Sequence, residues 1–298
     1  MPDGGPKLLL IDGNNMCHRV FWTNQTLSHK GKGTGVLFGF FKQLIHLHKS
    51  YPDHFRIIVW DRGYARRLEE SQKAVEAGII PSAYKANREK NKPELEDMFE
   101  QMNQLRDSVL DMIRCVQVSE KGVEADDIIY TYTKYVQKWH GEAVVVSSDN
   151  DFFQALAPGV TIYDAMKKEV WTEERFNVEV GFSPSLWVDA GALMGDTGDN
   201  IHGVDGWGPK TTNKYVRQYG GIDAVVAAVQ AKKKRSKTEQ NLLDSLPRLA
   251  LAKSLKQMDI IPNVPMPRLC RNIDSKSVEK MFLEFGFASL LKEIWRLV

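Results

Sequence analysis

The sequence predicts an α/β fold over residues 1–184, with a central, mostly parallel sheet flanked by helices, followed by an all-helical region over 185–298. Three observations predict it. Short β-branched apolar runs alternate with helical patterns along the first part of the chain. Ala143-Val-Val-Val146 is continuously apolar, as in a strand buried on both faces of a parallel sheet. The alternation stops at about Pro184, after which only helical patterns recur.

Lys7 to Ile11 is an apolar run that ends in Asp12-Gly-Asn-Asn15, read as a buried strand and a tight turn. Thr34 to Lys49 is helical, with Leu37, Phe40, Phe41, Leu44 and Ile45 mostly on one side. Phe55 to Trp60 is the next strand, and it too ends in an acid, Asp61-Arg-Gly. Residues 62–92 differ. They carry Arg62, Arg66, Arg67, Lys73, Lys85, Arg88, Lys90 and Lys92, an amphipathic helix from Tyr64 to Ala77, then Gly78, Pro81 and Tyr84-Lys-Ala-Asn-Arg88. Stretches this long between core elements are functional or disordered more often than not. The scarcity of apolar residues after Ser82 predicts that 78–92 moves freely without a ligand. Glu94 to Arg114 reads as a helix and Cys115 to Val118 as a strand. Gly122-Val-Glu-Ala-Asp-Asp127 opens a helix that runs to about Trp139, with Ala125, Ile128, Ile129 and Tyr132 on its apolar face. The run at 143–146 ends in Ser147-Ser-Asp-Asn-Asp151, and Val160 to Tyr163 and Glu169 to Trp171 form two short strands around a turn. In the helical region, Leu186 to Met194 leads into Gly195-Asp-Thr-Gly-Asp-Asn200, and a helix from Thr212 to Gln218 follows Gly203 to Thr211. The basic run Lys232 to Arg235 sits between helices, and helical segments Glu239 to Met258 and Ser275 to Leu297 complete the chain.

Composition excludes several classes. With 43% hydrophobic and 26% charged residues the chain has the balance of a soluble globular protein. A net charge of +2 does not by itself mark a nucleic-acid binder, so the distribution of charge matters more than its sum. Cys17, Cys115 and Cys270 are widely separated and form neither a metal spacing nor a disulfide framework, so a reducing compartment, the cytoplasm, is expected. The first apolar run is too short for a signal peptide, and no stretch reaches membrane-spanning length. Gly206-Trp-Gly-Pro-Lys-Thr211 lacks the strand and the Gly-Lys-Ser/Thr order of a nucleotide-binding loop.

Asp12, Asp61, Glu124, Asp126, Asp127, Asp149, Asp151, Asp196 and Asp199 carry the chemistry. Those in the α/β part follow strands or open a helix, and sites of parallel sheets lie beyond the carboxyl ends of the strands. Any one of these acids is an ordinary turn or helix-start residue; all of them together point to one edge. Converged carboxylates repel one another and need countercharge. Oxygen donors without His or Cys suit magnesium or manganese, and the number of acids suits two ions.

Ile11-Asp-Gly-Asn-Asn15, Tyr84-Lys-Ala-Asn-Arg88, Gly122-Val-Glu-Ala-Asp-Asp127, Ser147-Ser-Asp-Asn-Asp151, Met194-Gly-Asp-Thr-Gly-Asp-Asn200 and Gly203-Val-Asp-Gly-Trp-Gly-Pro-Lys210 occur in that order. In this the chain resembles the structure-specific 5′-nucleases, the flap endonuclease and 5′→3′ exonuclease family, and within it the bacteriophage-type enzymes. The resemblance runs from residue 8 to about 220. It implies a PIN-like 5′-nuclease domain at 1–184 and a helical DNA-binding domain at 185–298. It implies one Mg2+ or Mn2+ ion on Asp12, Asp61, Glu124 and Asp126, and a second on Asp127, Asp149, Asp151, Asp196 and Asp199. Residues 62–93 would form an arch over the site, with Lys85 and Arg88 facing the scissile phosphate and Tyr84 stacking on a base. Gly203, Gly206, Gly208, Lys210 and Lys214 would belong to a helix–three-turn–helix motif that grips duplex backbone, with a monovalent cation such as K+. The implied substrate is branched DNA with a 5′ flap or 5′ end, cut by a monomer to leave a 5′-phosphate and a 3′-hydroxyl. An RNA-directed nuclease acting on RNA–DNA hybrids is the alternative, and a catalytically silent junction binder a further one. Two positions depart from the family pattern: Asn150 replaces a glycine, and Gly191 stands where close phage relatives can carry a lysine.

Overall fold

The computed structural model describes residues 5–88, 93–113, 115–264 and 275–295. Cys270 and residues 89–92 of the expected arch lie outside them. Strands β1 (Lys7–Asp12), β4 (Phe55–Val59), β5 (Val116–Val118), β6 (Glu142–Val146), β7 (Val160–Asp164) and β8 (Glu169–Trp171) form one sheet in the order β5-β4-β1-β6-β7-β8. All neighbours are parallel except β7 and β8. A small hairpin, β2 (Ser28–His29) with β3 (Lys32–Gly33), lies apart and had no signal in the sequence pattern.

The chain builds outward from β1 through β4 to β5, then returns to the other side of β1 with β6 and β7. The order therefore reverses between β1 and β6, the switch point where such sheets open a crevice at their carboxyl ends. Register places Ile11 beside Ile58 and Val146, so Asp12 and the residues after Val59 and Val146 leave the sheet at one edge.

Side chains alternate across the sheet and both faces are covered. On one face Leu10, Ile57, Val59 and Val145 pack with Ile128, Ile129 and Tyr132 of α5 (Ala125–Lys138). Leu193 of α7 (Trp187–Met194), Val216 of α8 (Pro209–Tyr219), Val225 of α9 (Ile222–Gln230), Leu242 of α10 (Lys237–Asp244) and Leu255 of α11 (Leu246–Lys256) belong to that same core. On the other face Leu9, Ile11, Ile58 and Val146 pack with α1 (Gly13–Asn24), α2 (Gly35–Ser50) and α4 (Glu96–Gln104). Helix α3 (Ala65–Glu76) packs on α11 and α6 (Glu173–Val180) on the turn Pro184–Leu186, and α6 ends at Gly181 with φ +85°. The chain returns in α12 (Ser275–Glu284) and α13 (Leu291–Ile294) to the face of α2, where the rings of Phe41 and Phe282 lie 4.7 Å apart. Val278, Met281, Phe282 and Ile294 thus complete the core beneath α2 rather than the helical region that follows Pro184.

Several element boundaries differ from the sequence reading. Asp12-Gly-Asn-Asn15 is a helix start and not a free turn, because Asp12 Oδ1 caps α1 by accepting from Asn15 N–H at 2.9 Å. The helix expected over 94–114 gives way after Gln104 to a π turn, Leu105–Val109, and a short 3-10 turn. The segment expected as one helix over 239–258 is two, with Ser245 between them. Pro247 in the first turn of α11 has no N–H to continue α10. Among the described residues no helix is long and apolar enough to cross a membrane.

Candidate metal-dependent active site

Four carboxylates converge where β1, β4 and β6 end and α5 begins. Asp12 accepts from Ser147 Oγ at 3.1 Å, and Ser147 Oγ in turn accepts from Asp149 N–H at 3.2 Å. Asp61 accepts from Ala125 N–H at 2.7 Å, which ties the end of β4 to the N-terminus of α5 and so to Asp126. Asn14 Oδ1 holds the Asp61 N–H at 3.1 Å, and Asn15 Oδ1 holds the Ser148 N–H at 3.2 Å. The DGNN stretch thereby brackets the acids on both sides. Burial first, then the Asp61 charge, pushes Asp12 up to about 7. Burial and the charges of Asp12, Asp149 and Asp61 hold Asp126 well above the usual carboxylate range.

The other five acids are engaged by cations of the chain. Arg67, buried on α3, bonds Glu124 at 2.6 Å and both oxygens of Asp127 at 2.7 Å. Asp127 also accepts from Asp259 N–H at 2.9 Å. Lys256 bonds both oxygens of Asp151 at 2.7 Å and Asp196 at 2.8 Å. Burial would raise Asp196, but Lys256 and two backbone N–H groups bring it below its ordinary value. Lys85 pairs with Glu124, and Arg88 pairs with Asp199.

The basic segment after α3 lies down on these acids. Lys85 N–H donates to Asp199 O at 2.9 Å, Asn200 Nδ2 donates to Ala83 O at 2.7 Å, and Tyr84 N–H donates to Ser71 Oγ at 2.9 Å. These bonds dock residues 82–88 on the acids. Tyr84 is enclosed there: its ring is buried, 4% exposed, against Tyr64, and its hydroxyl donates to Asp199 at 2.9 Å. Lys85, with its side chain 10% exposed, faces Glu124 rather than open solvent.

The helical turn presents a different surface. A Cβ on Gly203 would lie 2.3 Å from Gly195 N, so this glycine serves close packing beside Asp196. Gly206 has φ +79° and Gly208 has open space around it. Lys210 and Lys214 are exposed on α8, whose start is braced by Trp207, buried and bonded through Nε1 to Thr238 O at 2.9 Å.

The donors are carboxylate oxygens throughout, which suits hard divalent cations. Among the described residues no three His, Cys, Asp or Glu side chains close on one point as a ready-made ion site. The fit is one of donor type and unrelieved charge. The groups acting most strongly on Asp12 and Asp126 are burial and other acids, with no side-chain cation among them.

Comparison with known proteins agrees with this geometry. Residues 7–181 match the 5′-3′ exonuclease N-terminal resolvase-like domain, and residues 182–280 match the 5′-3′ exonuclease C-terminal SAM fold. The chain belongs to the 5′-3′ exonuclease family. It is 31% identical to DNA polymerase I of Bacillus caldotenax, over 97% of this chain and 32% of the polymerase. It is 29% identical to the thermostable DNA polymerase I of Thermus thermophilus, over 96% and 33%. The chain thus spans about a third of the length of these curated relatives. In fold it is similar to the T5 5′-exonuclease with bound zinc ions, with a TM-score of 0.68, 20% identity and 98% and 99% of the two chains covered. It is also similar to the Rad2 catalytic core in complex with DNA substrate, with a TM-score of 0.59, 14% identity and 99% and 92% covered.

Within this family member, sequence reasoning singled out the acids together with Lys85 and Arg88, and missed Arg67 and Lys256. Arg67 looked like one more charge in a solvated basic stretch, and Lys256 lay in a segment with no motif. Their only signal is spatial. The Lys256 side chain comes from α11 to lie beside Gly191, where a Cβ would sit 3.2 Å from Lys256 Cε.

Proposed function

We propose that this 5′-3′ exonuclease family member hydrolyses DNA phosphodiester bonds at a free 5′ end or at the base of a 5′ single-stranded flap. The observation that carries the reading is the convergence of Asp12, Asp61, Asp126 and Asp149 at the switch point, with Lys85 and Arg88 paired to Glu124 and Asp199. Residues 1–184 serve as the nuclease domain and the helices after Pro184 as the duplex-binding part. Asp12, Asp61, Asp126 and Asp149 would hold divalent ions, magnesium or manganese, with Glu124, Asp127, Asp151, Asp196 and Asp199 as further ligands. When bound, such ions neutralise phosphate charge and lower the pKa of water.

The chain's own residues do the rest. A scissile phosphate carries the same charge as Glu124 and Asp199, so it competes with them for Lys85 and Arg88. Those two cations then meet charge where the reaction develops it. Lys210 and Lys214 meet duplex phosphates, and the open turn at Gly206 and Gly208 lets backbone approach closely, with a monovalent cation such as potassium at that turn. Contacts to phosphate carry no direct base information, so junction shape decides specificity. The products are a 5′-phosphate and a 3′-hydroxyl. The protein acts as a monomer, and the buried thiol of Cys17 fits a cytoplasmic setting.

A labelled 5′ flap, in DNA and RNA versions, incubated with and without magnesium tests the reading. Magnesium-dependent cutting of the DNA flap is expected. Absence of cutting with magnesium or manganese overturns the reading, and faster cutting of the RNA flap favours the RNA-directed alternative. Asp151→Asn should slow cutting by about 10²-fold or more, the size typical of positioned catalytic charge, while flap affinity stays within a few-fold. A near-normal rate in this variant removes Asp151 from the site.

A further inference from the structure

Lys256 closes α11 as a buried ammonium. The residue is 8% exposed, and its three N–H donors are matched by three carboxylate oxygens, two from Asp151 at 2.7 Å and one from Asp196 at 2.8 Å. Its stem runs past Gly191, where even a methyl group would come within 3.2 Å of Cε. The backbone is clamped as well. Gln154, three residues beyond Asp151, donates to Lys256 O at 3.1 Å and accepts from Met258 N–H at 2.9 Å. A helix of the C-terminal part is thus built to deliver one positive charge to the Asp-x-Asp turn after β6. Among the described residues, no side-chain cation is among the strongest influences on Asp12 or Asp126, which are burial and other acids.

Resting on the reading of this site as one for divalent ions, we propose that Lys256 is the resident cation of its Asp151–Asp196 half, a positioning residue that competes with a divalent ion for those oxygens. The ammonium holds the two carboxylates together and compensates their charge before any ion arrives. It also repels an incoming dication at close range. The two halves of the site therefore differ. The Asp12–Asp61–Asp126–Asp149 half, uncompensated, takes its ion more tightly, and the Asp151–Asp196 half takes its ion weakly because Lys256 has to give way.

Calorimetric titration of the DNA-free protein with manganese tests this, with Lys256→Met, Lys256→Gln and Lys256→Arg beside the unaltered chain. The unaltered chain should show a tight and a weak class of site. Both neutral variants should tighten the weak class by about tenfold or more, since a like charge has been removed, and leave the tight class unchanged. Lys256→Arg, which keeps the charge, should resemble the unaltered chain. Neutral variants with native circular dichroism that bind the weak ion no better, or worse, overturn the proposal. If Lys256→Met does not fold, Lys256→Gln carries the comparison. Folding of Lys256→Gln only in the presence of manganese supports the proposal, and failure to fold with or without it assigns Lys256 a structural role instead. Uptake of no manganese by the unaltered chain overturns the two-ion reading along with this one, whereas uptake without the shift overturns this one alone.

Discussion

Arg67 shows how much a single side chain decides here. All five of its N–H donors are used: Nε on Leu255 O, Nη1 on Glu124 and Asp127, Nη2 on Asp127 and Gln257 O. It is 5% exposed, so Glu124 and Asp127 have little solvent to turn to if it is removed. Arg67→Ala should therefore destabilise the protein by about 3–5 kcal/mol, the cost of breaking a buried pair from one side. Arg67→Lys should recover only part, because a point charge cannot span two carboxylates and two carbonyls. Urea unfolding of both variants measures this, and a loss below about 1 kcal/mol for Arg67→Ala would place the pair among surface ion pairs of little worth. In the sequence Arg67 is indistinguishable from its neighbour Arg66. Its role depends on residues nearly 60 and 190 positions away.

At the scale of elements, the segment after α3 is held by the loop that follows α7. Asn200 donates from Nδ2 to Ser82 Oγ at 2.8 Å and to Ala83 O at 2.7 Å, and Asn87 donates to Thr197 O at 2.5 Å. Asn200 has φ +57°, so glycine can replace it without backbone strain. Asn200→Gly should loosen 82–88 alone. Amide exchange at Tyr84 and Lys85 is expected to rise by about tenfold or more, the equivalent of one or two lost hydrogen bonds, while β1 and β6 keep their protection. Unchanged exchange at Tyr84 and Lys85 would show that the ion pairs of Lys85 and Arg88, not this anchor, hold the segment. Glycine, proline and polarity set 78–92 apart from the core elements in the sequence, yet Ile80 and Tyr84 are buried. Those signals could not show where the segment docks, because docking depends on the acids of two other loops.

For the whole molecule, the converged acids link stability to pH. Asp12 is pushed up to about 7, by burial and then by Asp61. Asp151 is pushed up to about 6, by burial against the pull of Lys256. Both titrate near 3.8 when unfolded, so between about pH 4 and 7 the folded chain binds more protons than the unfolded one. Stability contributed by these groups is fully present only below their unfolded value of 3.8 and is lost as pH rises toward 7. A divalent ion replaces those protons. The rise in Tm on adding magnesium should therefore be larger at about pH 8 than at about pH 5.5, as thermal unfolding at both values would show. An equal rise at both would mean that the ion does not bind at Asp12 or Asp151.

The sequence by itself determined the fold class, the edge at which the acids gather, and the acids themselves. Period-two and period-3.6 patterns are local, and in a parallel sheet the end of a strand fixes where its next residue goes. Only the tertiary structure decided which charges meet. It set Arg67 on Glu124 and Asp127, laid Lys85 and Tyr84 against Glu124 and Asp199, and brought Lys256 past Gly191 to Asp151 and Asp196. It also returned α12 to the face of α2, where Phe282 meets Phe41. The reason is physical. A side-chain pair between distant segments leaves no periodic trace in the chain, and a lysine reads alike whether water or two carboxylates surround it.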